Sequence, residues 1–352
     1  MLGMTPSLLQ DLLGIEVPIV QAPMAGVQAS ALAIAVSNAG ALGSLPGALL
    51  GPDAMRDEVA TIRARTTRPY NVNFFCHTPP TPDPAREAAW RIALTAYYRE
   101  LGLDPNEIPA GPTRSPFSVQ AADIVEEFKP PVVSFHFGLP QPELLARVRA
   151  WGSRILASAT TVDEARWLET RGVDFIIAQG LEAGGHRGNF LTADMTTQLG
   201  TFALVPQVVA AVRVPVIAAG GIADARGVAA ALRLGAAGVQ VGTTYLLCPE
   251  VTTSPVYRAA LRSADAGHTA LTNLISGRPA RGIVNRLMRE LGPMSDLPPA
   301  FPLATPAVAP LRAAAEAKGM GDFSPLWAGQ NTSGCKEISA AELTRELAAD
   351  LK

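Results

Sequence analysis

Residues 215–243, PVIAAGGIADARGVAAALRLGAAGVQVGT, give the clearest indication of the fold. It begins with an apolar run, turns at Gly220 and Gly221, continues in a pattern of helical period and ends in a second apolar run. Runs without a polar face are what a strand buried on both sides of a parallel sheet requires. Asp224 stands near the start of the helical stretch and Gly235 follows its end, where helix caps are favoured. The stretch therefore predicts one strand–helix–strand unit of a parallel sheet.

The same unit repeats along the chain. Eight apolar runs, rich in β-branched residues and bounded by Gly, Pro or polar residues, are predicted as strands at 18–24, 41–45, 71–76, 132–137, 154–159, 174–179, 215–220 and 238–243. Helical patterns separate them, including those at 29–38, 53–65, 161–171 and 224–234. Eight strand–helix repeats in a row predict an α/β protein with a (β/α)8 TIM barrel, and they favour it over a doubly wound open sheet.

Two segments fall outside this repeat. Residues 77–117 follow the third predicted strand, contain one helical stretch at 85–101, and predict an insertion on the catalytic side of the barrel. From residue 263 the composition changes, with a Pro-rich stretch and then helical pieces that end with 340–351. We predict that residues 1–262 form a cofactor-binding barrel and that residues 263–352 form an extension that completes the pocket and packs on the barrel.

Composition excludes several classes of function. The 352 residues are 48% hydrophobic and 17% charged, and the formal net charge is −2, so no basic face is available for nucleic acid or a membrane surface. The chain begins without a secretory signal pattern, and its apolar runs are too short to span a membrane. The cysteines Cys76, Cys248 and Cys335 form no disulfide pattern. We expect a cytoplasmic protein with no nucleic-acid or membrane partner, and the sequence leaves the oligomeric state open.

Glycines follow the seventh and eighth predicted strands, where barrels commonly bind a phosphate. Gly220 and Gly221 end the seventh strand, and Gly242 precedes Thr243 at the end of the eighth. Glycine lets the backbone approach a phosphate closely, and N–H groups at a helix start point at the anion. One such pair alone is typical of a tight turn, but two at neighbouring strand ends predict a phosphate site. A Rossmann dinucleotide site has no support, because no GxGxxG follows the first strand.

The sixth predicted strand runs into the loop QGLEAGGHRG at 179–188. Its four glycines allow a mobile backbone that folds over a ligand. Gln179 offers both a donor and an acceptor to a flat heterocycle, and Glu182, His186 and Arg187 add polar groups. An ordinary surface loop is the alternative interpretation. Loops at the carboxyl ends of barrel strands often carry chemistry, so we favour a ligand-binding role.

His136 lies in the apolar run VVSFHFG at 132–138. A single histidine among Phe and Val is more often a hydrogen-bonded core residue than a catalyst. Here it stands near the strand end that faces the active site, and its aromatic neighbours limit solvent, a setting that can tune a base near neutral pH. No metal site is predicted, because no other ligand type stands at suitable spacing from it.

Several of these motifs resemble those of class I nitronate monooxygenases, formerly called 2-nitropropane dioxygenases. The first is QAPMAGV at 21–27, followed by AVSNAG at 35–40. Further similar stretches occur in the expected order, at 71–77, 133–138, 179–188, 218–222 and 240–243. The loop at 179–188 is specific to the family, whereas the first motif alone is not.

The resemblance implies an FMN-containing barrel that oxidises alkyl nitronates, or related carbon-acid anions, with dioxygen to a carbonyl compound and nitrite. It implies that His136 is the active-site histidine, which removes a proton from neutral nitroalkanes or holds the nitronate anion. Met24 would lie behind the isoalloxazine ring. The implied FMN-binding residues are Met24, Asn73, Gln179, Gly184, Gly220, Gly221, Gln240, Val241, Gly242 and Thr243.

The chain departs from the family pattern around the substrate. Typical members carry tyrosines and a lysine before the C-terminal helices, whereas the matching stretch FPLATPAVA at 301–309 has neither, and residues 111–119 also lack a tyrosine. We therefore expect a more apolar pocket that accepts something other than a small nitronate. Two alternatives stay open: an NAD(P)H-dependent FMN reductase of quinones or enoyl thioesters, and a binding protein for flavin or another phosphate ligand without turnover. His136 favours an enzyme, and we identify no nicotinamide site.

Overall fold

A nearly closed barrel of parallel strands forms the centre of the protein. The computed structural model describes residues 8–108 and 114–351. The barrel strands are β1 (Ile19–Gln21), β2 (Gly43–Pro46), β3 (Tyr70–Phe75), β4 (Val132–His136), β5 (Arg154–Ala159), β6 (Phe175–Gln179), β8 (Val216–Ala219) and β9 (Gly238–Val241). They follow the order β1-β9-β8-β6-β5-β4-β3-β2, and a bridge from Val20 to Leu42 joins the two ends. The predicted (β/α)8 barrel is confirmed.

Both faces of the strands are buried, as their continuous hydrophobicity predicts. In β5, Ile155 packs with the outer helices while Leu156 packs inside the barrel. In β6, Ile176 likewise packs with the outer helices and Ile177 packs inside the barrel. Residues that alternate along a strand point to opposite faces, so a run that is apolar at every position satisfies both layers.

Helices connect successive barrel strands and pack around the outside of the barrel. They are α1 (Leu8–Leu13), which packs against the barrel interior, and α2 (Ser30–Asn38), α3 (Pro52–Arg65), α5 (Val119–Phe128), α6 (Pro142–Ala150), α7 (Val162–Thr170), α8 (Thr201–Ala211) and α9 (Ala225–Arg233). Side-chain caps fix several starts: Asp224 accepts from the Gly227 N–H at 2.8 Å, and Thr161 accepts from the Glu164 N–H at 3.2 Å. No helix among the described residues is long and apolar enough to cross a membrane.

The insertion and the extension share a core of their own. Helix α4 (Pro84–Leu101) of the insertion packs against α12 (Thr305–Ala317) of the extension through Trp90, Leu94, Val308 and Leu311, the α4–α12 core. Residues 109–113 of the predicted insertion lie outside the described residues. The division of the chain at residue 262 stays a prediction.

The remaining elements lie in the extension or in the connections that follow the barrel strands. They are α10 (Pro255–Arg262), β10 (Thr269–Thr272), β11 (Ala280–Ile283), α11 (Arg286–Leu291), α13 (Ala340–Leu347) and the short 3-10 helices Met195–Thr197, Thr243–Leu247, Ala264–Gly267 and Ala349–Leu351. The helix predicted at 340–351 is thus α13 followed by a 3-10 turn. Strand β11 pairs antiparallel with β10 and with β7 (Gly185–His186), so a small sheet fixes the 179–188 loop beside the barrel mouth.

Candidate active site

One cavity opens at the carboxyl ends of the barrel strands, and every predicted site residue lines it. The sequence-predicted residues in its wall are His136, Met24, Asn73, Gln179, Gly184, Gly220, Gly221, Gln240, Val241, Gly242 and Thr243. They come from β1, β3, β4, β6, β8 and β9 or the turns after them, since parallel strands bring their carboxyl ends to one edge. The geometry therefore brings together residues that are far apart in the chain, while their individual roles stay predictions.

The turns after β8 and β9 present backbone to this cavity. Gly220 has a φ of +120° and Gly221 a φ of +73°, so the chain after β8 takes a path that favours glycine at both positions. A Cβ atom on Gly242 would lie 3.1 Å from the Cβ of Ala22. The Oε1 atom of Gln240 is buried and has no hydrogen-bond partner among the described residues. This side of the cavity thus offers close backbone access and one unused acceptor.

The 179–188 loop is held in place by its own polar groups. Gln179 accepts from the Gly188 N–H at 2.8 Å through Oε1 and donates from Nε2 to the His186 carbonyl at 3.0 Å. The buried Arg187 donates to the carbonyls of Gly180 and Gln179 at 2.6 and 2.8 Å. Burial lowers the pKa of Arg187 to about 10. These hydrogen bonds join the loop to the end of β6, the mobility of the loop stays a prediction, and Gln179 retains a single N–H for a ligand.

Residues of the C-terminal extension form part of the cavity wall. Trp327, Gly329 and Asn331 line it, and the Gly329 N–H donates to the Thr243 hydroxyl at 2.9 Å. A Cβ atom on Gly184 would lie 2.6 Å from the Gly329 nitrogen, so the two backbones can pass only because residue 184 is glycine. The role of Gly184 in FMN binding stays a prediction. What the structure shows is that Gly184 packs closely against the backbone of the extension.

The predicted polar residue Glu182 has a structural partner. Its carboxylate accepts from the backbone N–H and the hydroxyl of Thr201, both at 2.8 Å. Thr201 begins α8, where a carboxylate satisfies free N–H groups and favours the helix dipole. Glu182 therefore fixes the loop to α8.

His136 stands at the end of β4 with both ring nitrogens engaged. Nε2 lies 3.2 Å from the His186 carbonyl oxygen, which can only accept, so Nε2 carries the proton. Nδ1 is then the acceptor for the Ser158 hydroxyl at 3.0 Å. Burial, followed by the charge of Arg278, lowers the pKa of His136 to about 3. The expected tuning near neutral pH is therefore wrong: the ring is neutral, and its basic nitrogen is Nδ1.

Sequence reasoning missed the aromatic wall of the site. Phe301 lies 5.2 Å from the His186 ring and 5.6 Å from the Phe137 ring, measured between ring centroids, and the Phe137 centroid lies 4.4 Å from that of His136. Phe137 has a φ of +70°, a left-handed conformation that a bulky residue rarely adopts. The guanidinium of Arg278 stacks on the ring of Phe137, with its Cζ atom 4.0 Å from the ring centroid. Only Phe137, beside His136 in the motif, carried a signal in the sequence.

Ser158 and Arg114 were also missed, although both line the cavity. Ser158 lies in the predicted fifth strand, but a serine there has no distinguishing pattern. Arg114 lies in the connection between β3 and β4, and nothing in its neighbourhood indicates where its side chain points. His186, which the sequence marked only as a polar loop residue, places Nε2 at 2.8 Å from the Ser276 hydroxyl. Burial holds the pKa of His186 well below its usual value.

These features define a (β/α)8-barrel enzyme with its active site at the carboxyl ends of the strands. More particularly, the chain belongs to the nitronate monooxygenase family, whose model matches residues 6–350. It is therefore an oxidoreductase, and enzymes of this family are flavin-dependent in general. The resemblance found in the motifs is confirmed.

Individual relatives agree over nearly the whole chain. A nitronate monooxygenase of Pseudomonas aeruginosa is 43% identical, covering 97% of this chain and 98% of that protein. Another from Paraburkholderia phytofirmans is 44% identical, covering 98% and 94%. The crystal structure of nitroalkane oxidase from Streptomyces ansochromogenes is similar with a TM-score of 0.88 and 38% identity, covering 97% of each chain. FabK from Thermotoga maritima is similar with a TM-score of 0.70 and 26% identity, covering 99% and 96%.

Proposed function

We propose that this enzyme uses FMN and dioxygen to oxidise alkyl nitronates, or related carbon-acid anions, to a carbonyl compound and nitrite. The observation that carries the proposal is a single cavity with two different ends. Open glycine backbone lies at β8 and β9, and a neutral histidine set in aromatic rings lies across the barrel mouth at β4. The similarity to nitronate monooxygenases and to a nitroalkane oxidase supports the same reaction class.

The residues present fit FMN. Gly221 and Gly242 leave the backbone open for a phosphate, and the partnerless Oε1 of Gln240 suits an N–H of the flavin ring. The side chains of Met24 and Asn73 line the same cavity. We propose that the cofactor is held by Met24, Asn73, Gln179, Gly184, Gly220, Gly221, Gln240, Val241, Gly242 and Thr243. Bound FMN would accept electrons from the carbon-acid anion and pass them to dioxygen.

The chain's own residues prepare the substrate. The neutral His136 can receive a proton at Nδ1 once the Ser158 hydroxyl turns away or relays the proton itself. The charges of Arg278 and Arg187, which lower the pKa of His136, also favour an anionic substrate beside it. The ring of Phe75 lines the cavity with its centroid 5.9 Å from that of His136, and an apolar wall strengthens these charge interactions. A nitronate therefore meets a site that stabilises its charge without neutralising it.

Three measurements on purified protein test the proposal. Denaturation should release FMN, and in air an alkyl nitronate should drive oxygen consumption and nitrite formation. Under anaerobic conditions the nitronate should bleach the bound flavin, while NADH and NADPH bleach it slowly. Release of FAD would contradict the cofactor assignment. Fast bleaching by a nicotinamide with no response to nitronates would establish the reductase alternative.

The proposal includes a reducing, cytoplasmic location. Cys76, Cys248 and Cys335 are all unpaired, and burial raises the pKa of Cys248 to about 12 and that of Cys335 to about 12. Thiols in this state are typical of intracellular proteins. Fractionation of the native cells, with recovery of the protein outside the cytoplasm, would contradict this part of the proposal.

A further inference from the structure

The Nε2 side of the His136 ring is closed to a substrate by the 179–188 loop. Nε2 lies 3.2 Å from the carbonyl oxygen of His186. The same oxygen accepts from Nε2 of Gln179 at 3.0 Å, and His186 pairs with Ala280 in the small sheet. Since a carbonyl oxygen can only accept, Nε2 keeps its proton and cannot take another from a substrate.

The Nδ1 side of the ring is also covered. A Cβ atom on Gly188 would lie 2.8 Å from Cε1 and 3.2 Å from Nδ1 of His136, so the backbone of Gly188 lies against this edge. The Gly188 N–H donates to Oε1 of Gln179 at 2.8 Å, which joins this backbone to the end of β6. The hydrogen-bond partner of Nδ1 is the Ser158 hydroxyl at 3.0 Å. A substrate in the cavity therefore reaches Nδ1 directly only by displacing Ser158.

Ser158 connects the basic nitrogen of the ring with the cavity. Its neighbours in β5, Ala157 and Ala159, pack with the outer helices, so alternation along the strand turns Ser158 toward the barrel interior. The residue is buried and lines the cavity. Among the described residues its hydroxyl makes one hydrogen bond, in which it donates to Nδ1 of His136. The hydroxyl oxygen therefore keeps both lone pairs for a ligand.

The other polar groups of the wall do not form such a pair. The described residues that line the cavity include no Asp or Glu. His186 lines it too, but its hydroxyl partner, Ser276 at 2.8 Å from Nε2, is not among the lining residues. Within the described wall, Ser158 and His136 are the hydroxyl and ring nitrogen that lie in line from the cavity inward.

We propose that Ser158 takes the proton from a neutral carbon acid and that His136 acts behind it as the base. The substrate C–H bond breaks, and its proton forms a new O–H bond on Oγ of Ser158. The former hydroxyl proton moves to Nδ1, and the C–H electron pair stays on the substrate as a nitronate anion, whose charge the imidazolium balances. This inference rests on the proposed function and adds Ser158 as a catalytic residue. A nitronate supplied as the anion needs no such step.

Heavy water distinguishes this relay from direct transfer to the ring. The Ser158 hydroxyl proton exchanges with solvent, whereas direct transfer from carbon to Nδ1 moves no solvent proton. With the wild-type holoenzyme, kcat/KM for neutral nitroethane should fall in heavy water and fall again when the α-hydrogens are deuterium.

Variants of Ser158 should change this behaviour on the neutral substrate alone. Ser158→Ala should lose about 10²–10⁴-fold in kcat/KM for neutral nitroethane, lose the solvent isotope effect, and keep the wild-type values for ethyl nitronate. Ser158→Thr keeps the hydroxyl and should restore both the rate and the solvent effect. Ser153→Ala is the matched control, because this serine is equally buried, directly precedes β5 and donates to the Pro130 carbonyl without lining the cavity. It should behave as wild type on both substrates.

Ring-nitrogen NMR of the isotopically labelled holoenzyme tests the geometry without turnover. His136 should show a protonated Nε2 and an unprotonated Nδ1, and Ser158→Ala should move the Nδ1 resonance downfield, because that nitrogen loses its hydrogen-bond donor. A protonated Nδ1 in the wild type would overturn the inference. Equal losses of Ser158→Ala on neutral nitroethane and ethyl nitronate, or a wild type without the solvent effect, would overturn it as well.

Hydrogen exchange separates this inference from the proposed function. Under anaerobic conditions the wild type should exchange the α-hydrogens of nitroethane with heavy water, and Ser158→Ala should do so far more slowly. If exchange depends on Ser158 while ethyl nitronate yields no nitrite in air, the proposed function fails and the relay stands. If ethyl nitronate yields nitrite while exchange is absent or independent of Ser158, the proposed function stands and the relay is overturned.

Discussion

Substituting Gly242 by valine tests the phosphate end of the cavity. Gly242 has a φ of −121°, outside the left-handed region, so the backbone itself accepts a side chain. The new Cβ atom would lie 3.1 Å from the Cβ of Ala22 and 3.7 Å from the Sδ of Met24. The first contact is tight and the second ordinary, so small side-chain shifts relieve the crowding. We expect the free energy of unfolding to fall by about 1–3 kcal/mol, and the barrel to remain folded.

The effect on FMN should be larger than the effect on folding. If the backbone beside Gly242 holds the phosphate, the two further methyl groups of valine keep the anion from its N–H donors. Loss of one hydrogen bond to a charged group costs about 1.5–3 kcal/mol. At about 1.4 kcal/mol for each factor of ten, the Kd for FMN should rise roughly 10–100-fold.

The assay is a titration of the flavin-free protein with FMN, followed by quenching of flavin fluorescence, beside a thermal melt of each variant. Gly267→Val is the control, because nothing lies within 4 Å of a Cβ atom at that position. It should lower neither FMN affinity nor the melting temperature. A wild-type Kd for FMN in Gly242→Val would refute the reasoning and move the phosphate away from the end of β9.

Three further predictions follow from the site. His136→Ala should retain FMN but lose about 10²–10⁴-fold in rate on neutral nitroalkanes and much less on pre-formed nitronates, and equal small losses on both would leave His136 with a structural role alone. Arg187→Met should lower the free energy of unfolding in urea by about 3–5 kcal/mol, because the Gln179 and Gly180 carbonyls lose their buried donor, and a loss under about 1 kcal/mol would contradict this account. Burial lowers the pKa of His77 from 6.5 to about 4, so the unfolded chain binds a proton first as pH falls. Stability should therefore drop by about 2 kcal/mol from pH 7 to pH 5 on account of this group, and His77→Phe should flatten that part of the urea-unfolding profile.

The barrel could be predicted from the sequence because its strands are apolar at every position. Ile155 faces the outer helices and Leu156 faces the barrel interior, yet both environments require an apolar residue. The strand could therefore be predicted without knowing which residues face which side. The small sheet of β7, β10 and β11 escaped prediction for the opposite reason. Strand β7 has two residues, one of them glycine, and it is defined by its pairing with β11, about a hundred residues away.

The predicted half of the site consists of residues at strand ends. Gly221 and Gly242 could be placed because strand ends of a barrel meet at one edge, so position along the strand predicts position in space, whereas Gln240 was implied by the family resemblance. Arg114 lies in a connection without a period, and the fold alone brings it to the cavity; Phe301 reaches the rings of Phe75 and Phe137 in the same way. The pKa of His136 was wrongly predicted for a related reason: it depends first on the burial of the ring and then on the charge of Arg278, and residues far along the chain determine both.

The α4–α12 core is a hydrophobic cluster separate from the one that packs the barrel strands against their helices. Phe301 stands just before α12, and Arg114 is hydrogen-bonded to Thr305 at the first position of α12, so the position of this helix affects where both side chains lie. Mutations that tilt α12 against Trp90 or Leu94 would shift the contacts of a substrate while leaving the glycine turns of β8 and β9 untouched. Substitutions in this outer layer could therefore change substrate preference while the glycine turns at the other end of the cavity are inherited unchanged.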